Sequence, residues 1–92
     1  MDNVNDKKFE LGDLVATPGA MESFTDDQRV ECLKRHAAGD WGDLDEEDRQ
    51  TNDAAVVEGD RLLSAYVIDG QKLWIITEAD RAVTTFLLPS EY

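Results

Sequence analysis

The stretch RLLSAYVIDGQKLWIIT, from Arg61 to Thr77, decides how the chain folds. Two runs rich in β-branched and aromatic residues flank Asp69-Gly70, a pair suited to the positive backbone angles of a two-residue hairpin turn. With Ile68 facing Gln71, Ala65 lies opposite Trp74, a small residue beside a large one. Arg61 then lies opposite Glu78 as a cross-strand ion pair. The second run is apolar on both faces, with Leu73 and Ile75 on one and Trp74 and Ile76 on the other. That pattern suits a central strand covered on both sides. A turn near Glu78–Arg81 leads to a third strand, Ala82–Leu88, which Pro89 ends.

Helical signals lie upstream. Thr17-Pro18 reads as an N-cap followed by a proline at the first helical position, and a short helix from Pro18 to about Phe24 follows. Thr25 with Gln28 three residues on is a capping box, with Asp26 and Asp27 in the first turn where the helix dipole favours negative charge. Lys34, Arg35 and His36 sit near the other end, and Gly39 is a natural stop. This predicts a helix over about 26–38 with Val30, Leu33 and Ala37 on its buried face. Asp43 or Asp45 caps a third helix, roughly 46–57, that ends at Gly59. Its first turns are polar all round and belong in solvent; its apolar residues, Ala54 to Val57, are expected to pack.

Residues 9–16 read as a short strand or extended lead-in that can add a fourth strand, and residues 1–8 as a disordered N-terminus. The expected fold is α+β: two to three N-terminal helices packed on a three- to four-stranded antiparallel β meander, as a single domain over 9–92.

The chain has 92 residues and a net charge of −12, with 21 acidic and 9 basic residues. It has no apolar run of the ~20 residues a membrane span needs and no apolar signal-peptide stretch, which points to a cytoplasmic protein. Its charge repels nucleic acid directly and suits a basic protein partner. The acids are concentrated between Asp40 and Asp60, where nine acids (Asp40, Asp43, Asp45, Glu46, Glu47, Asp48, Asp53, Glu58, Asp60) face one base, Arg49. Residues 61–92 are nearly neutral, with four acids and three bases. Trp41, between Gly39-Asp40 and Gly42, is either a plug over the core or an exposed aromatic contact.

Catalytic signatures are sparse. The sequence holds no P-loop, no dinucleotide-binding glycine motif and no nucleophile elbow. One histidine and one cysteine cannot build a zinc site of those ligands, and no cofactor is expected. Cys32, between apolar neighbours, reads as an inert core or boundary thiol. A single constellation could do chemistry. If His36, Arg61, Glu78 and Arg81 met, they would supply the acid, base and phosphate clamp of a metal-independent ribonuclease. Helices followed by an antiparallel sheet also resemble the barnase-like ribonucleases at the level of fold. Against this stand the negative charge and a simpler assignment, Arg61–Glu78 as a structural ion pair and His36 as a helix C-terminal charge.

Several segments together carry a further resemblance: Gly12 to Ala20 (GDLVATPGA), Arg35-His36, Gly39 to Leu44 (GDWGDL), Asp48 with Asn52-Asp53-Ala54, Arg61 to Tyr66, Trp74 to Arg81 (WIITEADR), Val83 to Thr85, and Leu88 to Tyr92 (LPSEY). Over about residues 9–92 the chain resembles a family of small bacterial proteins carried on plasmids, phages and other mobile elements. Its members are labelled "plasmid-related protein" or "type I restriction endonuclease subunit M". A methyltransferase subunit needs a far larger nucleotide-binding domain and an Asn/Asp-Pro-Pro-aromatic motif, and this sequence has no Pro-Pro. The label therefore implies a genomic neighbourhood and brings no catalytic mechanism. That neighbourhood implies an anti-defence role, as an anti-CRISPR or anti-restriction protein whose carboxylates stand in for DNA phosphates in the basic nucleic-acid-binding surface of a host defence protein. Asp40, Trp41, Asp43, Asp45, Glu46, Glu47 and Asp48 are then the expected partner-binding residues. An acidic adaptor, including one that forms a homodimer through an edge strand, is a third expectation.

Overall fold

A computed structural model describes residues 7–92. The elements, in chain order, are β1 (Asp13–Ala16), α1 (Pro18–Ser23), α2 (Asp26–Ala37), α3 (Glu46–Glu58), β2 (Leu62–Ile68), β3 (Gln71–Thr77) and β4 (Val83–Leu87), with a closing 3-10 turn at Pro89–Glu91. The fold is α+β, with helices preceding most of the sheet. Of the segment 1–8 expected to be disordered, residues 1–6 lie outside the described residues. Lys8 is held, its N–H donating to the Ala37 carbonyl at 2.7 Å.

The hairpin forms in the expected register, Ile68 opposite Gln71 and Ala65 opposite Trp74. Asp69 and Gly70 both take positive φ, 53° and 79°, as a two-residue turn matched to strand twist requires. β4 pairs antiparallel with β3. The sheet order is β1-β4-β3-β2. The fourth strand departs from the expected meander, because β1 pairs with β4 in parallel and the sheet is mixed. Every helix and the hairpin lie between these two strands, so the return to β1 is a long crossover, as parallel neighbours require. Four residues of apolar pattern carry no information on direction.

Thr17 caps α1, and the Thr25–Gln28 capping box closes the start of α2 with both reciprocal bonds. Asp45, rather than Asp43, caps α3, and Gly59 ends it in the left-handed conformation. One core cluster joins Ala20, Phe24 and Cys32 from the helices to Tyr66, Leu73, Ile75 and Phe86 from the sheet. A second gathers Phe9, Trp41, Ala55 and Leu62.

Two packing expectations change. The buried face of α2 is Arg29, Cys32, His36 and Ala37, while Val30 is 49% exposed. On α3 the first turns are exposed and Ala55 and Val56 pack, as expected, but Asn52 is buried with them while Ala54 and Val57 are exposed, Val57 at 86%.

The outer edge of β2 is covered. The Asn52 side-chain amide donates to the Leu63 carbonyl at 2.7 Å and accepts the Leu63 N–H at 3.3 Å, standing in for a neighbouring strand. Two residues on, Ala65 donates to the Trp41 carbonyl and accepts from Asp43. Gly42 makes that approach feasible: a Cβ there would lie 2.0 Å from the Ala65 oxygen. With its polar backbone satisfied at Leu63 and Ala65, this edge is closed to another strand over those residues.

Candidate functional site

Polar groups collect in two places, one inside the molecule and one on its surface. The inner group centres on His36, which is 0% exposed. Its Nδ1 lies 2.5 Å from the Ser64 hydroxyl and its Nε2 lies 2.9 Å from that of Thr77. Thr77 and Thr84 are 2.8 Å apart, and Thr84 donates to the Leu11 carbonyl at 2.7 Å. Each hydroxyl has one proton, so the direction of the chain is set from its end. Thr84 gives its proton to Leu11 and accepts from Thr77; Thr77 accepts from Nε2–H; Nδ1 accepts from Ser64. The chain places a proton on Nε2, and burial keeps the ring neutral, which leaves Nδ1 as the acceptor from Ser64.

Aromatic rings close around it. Phe9 and Trp41 approach the imidazole edge-on, with centroids at 5.2 and 5.7 Å. Burial, and secondarily the positive charge of Arg81, pushes its pKa down to about 3. His36 is thus not the helix C-terminal charge anticipated from its position, because it faces inward.

The four residues of the ribonuclease expectation do not assemble. His36 lies under the helices. Arg61 and Glu78 pair at 3.3 Å as the register predicts, but strand alternation puts them on the opposite sheet face, where Arg61 also donates to the Tyr92 hydroxyl at 2.8 Å. Arg81 donates to the carbonyls of Ala55 at 3.0 Å and Asp60 at 2.7 Å, tying down the end of α3, and its guanidinium covers the Phe9 ring. The Phe9 ring thus contacts both the Arg81 guanidinium and the His36 imidazole.

The surface group follows the acidic stretch. Asp40 is paired with Arg35 at 2.8 Å and accepts from the Gly42 N–H at 3.2 Å; the Arg35 bond holds its carboxyl below the usual carboxylate range. Trp41 is 4% exposed, so it is a core plug and offers no exposed contact. Its indole N–H donates to Asp53 at 2.9 Å. Asp45 is the helix cap. The one base of the stretch, Arg49, turns back to the Gly42 carbonyl at 3.2 Å. Asp43, Glu46, Glu47, Asp48, Glu58 and Asp60 are exposed and, among the described residues, form no ion pair.

Helical spacing arranges those on α3 as two adjacent outward rows, one through Glu46, Gln50, Asp53 and Val57, the other through Glu47, Thr51, Ala54 and Glu58. All eight residues are exposed. Asp48 sits off these rows, beside the buried Asn52, where α3 meets β2. Among the described residues no group of His, Cys, Asp and Glu side chains converges to hold a metal ion, and no helix is long and apolar enough to cross a membrane.

No family model, curated protein or solved structure matches the chain. Function therefore rests on the two groups just described. Cys32 is buried, and desolvation raises its thiol pKa, as an unreactive core cysteine requires.

A third polar contact had no signal in the sequence. The Glu91 carboxylate accepts from the Thr17 hydroxyl at 2.5 Å and from the Gly19 N–H at 2.9 Å. It thus joins the last turn to the start of α1, and these bonds, with one from Leu88, hold it below the usual carboxylate range. Nothing local to Thr17 or Glu91 announces a contact more than seventy residues apart in the chain.

Proposed function

We propose that the chain is a non-enzymatic protein-binding inhibitor of mobile-element origin. It blocks a host nucleic-acid-targeting defence complex, of the CRISPR or restriction kind, by presenting carboxylates to the basic surface that would otherwise hold DNA or RNA. One observation carries this reading: among the described residues, the exposed Asp43, Glu46, Glu47, Asp48 and Glu58 form no ion pair, while the nearby Arg49 is folded back on the backbone. Unpaired like charges on one surface repel one another, and the repulsion is relieved when a basic surface meets them. Such association is fast at low salt and weakens as salt rises.

The binding residues of this reading are Asp43, Glu46, Glu47, Asp48 and Glu58. Asp40 and Asp53 hold the Arg35 and Trp41 side chains, and Asp45 holds the helix start. The test is capture from host extract at low salt by the wild-type chain and by a variant with Asp43, Glu46, Glu47 and Glu58 changed to Lys, sparing the Asp45 cap. The expected result is a nucleic-acid-binding protein retained by the wild type, released by duplex DNA or salt, and not retained by the variant. Equal retention by the two proteins contradicts the reading.

A further inference from the structure

A cleft of about 300 Å³ opens where the start of α3 faces the start of β2. Its apolar lining is Leu44, Leu62 and Leu63, and its polar lining is Asp48, Thr51, Asn52 and Arg61. Most of those polar groups are already engaged. Asn52 is bonded twice to the Leu63 backbone, the Thr51 hydroxyl donates to the Glu47 carbonyl at 3.0 Å, and Arg61 is held by Glu78 and Tyr92. Asp48 is different. Its carboxylate is exposed and makes no side-chain hydrogen bond or ion pair among the described residues, so the uncompensated charge of the cleft is negative.

We propose that this cleft receives an arginine side chain of the basic partner, an inference that rests on the acidic-surface reading and names the contact at its centre. Leu44 and Leu63, the partly exposed leucines of the lining, take the aliphatic stem, and the guanidinium fork pairs with Asp48. Charge decides the occupant. An apolar side chain would strip water from Asp48 without giving it a partner, and an acidic one would be repelled. Arginine is favoured over lysine because its planar, weakly hydrated head meets a carboxylate bidentately while its stem is in apolar contact. Bonded anchors on both sides of the cleft, Asn52 to Leu63 and Arg61 to Glu78, hold its shape before the partner arrives, which lowers the ordering cost of binding.

The test uses the isotopically labelled full chain and a hexa-arginine peptide at low salt. The amides of Leu44, Thr51, Leu62 and Leu63 should shift most. Thr51→Trp, at an exposed helical position, should fill the cleft and weaken binding about tenfold, the scale of one well-seated interface side chain. Asp48→Asn, nearly isosteric, should weaken it comparably and covers the case in which the larger substitution disturbs α3. If the peptide instead shifts only Glu46, Gln50 and Asp53 and binds both variants as it binds the wild type, the cleft assignment falls and the acidic-surface reading stands. If the wild type does not bind the peptide at all, both fall.

Discussion

α2 and α3 are nearly the same length, twelve and thirteen residues, and each starts with a side-chain cap followed by acids in the first turn. They place their polar residues in opposite directions. α2 carries Arg29 and His36 into the interior, where Arg29 reaches the Ala20 and Phe24 carbonyls and pairs with Asp26, and His36 joins the Ser64–Thr77–Thr84 chain. α3 sends one polar side chain inward, Asn52, and turns its carboxylates to water. The difference teaches what a charged residue is for. Where it enters the core it must find partners, because an unpaired buried polar group is costly, so its role is structural. Where it stays in solvent without a partner it adds little to stability and is available to another molecule.

His36→Ala empties an enclosed site and removes the imidazole partner of the Ser64 and Thr77 hydroxyls, Thr77 keeping its bond to Thr84, so it should cost about 3–5 kcal/mol in urea unfolding, enough to threaten the fold of a small domain. Acid should act on the same residue next. The histidine is neutral when folded, with a pKa of about 3 against 6.5 in the unfolded chain. Its stabilising contribution is complete above the unfolded value and is lost as pH falls toward the folded one. Unfolding measured at a series of pH values below about 6.5 should show stability falling by up to about 1.4 kcal/mol per unit. The slope should disappear in His36→Gln. Asp40, whose carboxyl is depressed by Arg35, adds a loss of the same sign only at lower pH. Asn52→Ala frees the Leu63 backbone and should cost about 1–3 kcal/mol, with faster amide exchange at Leu63. Smallest of all, Glu58→Gln, at an exposed acid in the last turn of α3, should change unfolding free energy by no more than about 0.5 kcal/mol. A large loss there would break the contrast between the helices.

Local signals predicted local structure well. The Asp69-Gly70 turn, the Thr25–Gln28 box and the Gly59 stop each act within a few residues, and each stands where the residues placed it. The direction of β1 depended on a partner seventy residues away, which a four-residue apolar pattern does not encode. On α2, Leu33 and Ala37 pack as expected, but Val30 and Arg29 exchange roles, because Val30 looks like core and Arg29 does not. Tertiary context reverses this, since the waiting carbonyls of α1 satisfy the arginine while valine remains outside. The same holds for His36. Its position near a helix end suggested a charge for the dipole, but the hydroxyls that hold it neutral come from β2, β3 and β4. Asn52 left a faint trace, a neutral amide in a helix of carboxylates, three residues before the buried Ala55. The acidic patch was legible as composition. The sequence could not show that Asp40, Asp45 and Asp53 serve the fold while Asp43, Glu46, Glu47, Asp48 and Glu58 do not.

What remains to be measured is whether that second set of carboxylates acts outside the molecule. The direct measurement is the efficiency with which an unmodified or targeted plasmid establishes itself in a restriction- or CRISPR-proficient host expressing this chain. The comparison is with the same host expressing the variant in which Asp43, Glu46, Glu47 and Glu58 are Lys, both proteins being shown to fold. The wild type should raise establishment toward that of a defence-deficient host, and the variant should not. Equal protection by both, or protection by neither, would rule out the inhibitor role.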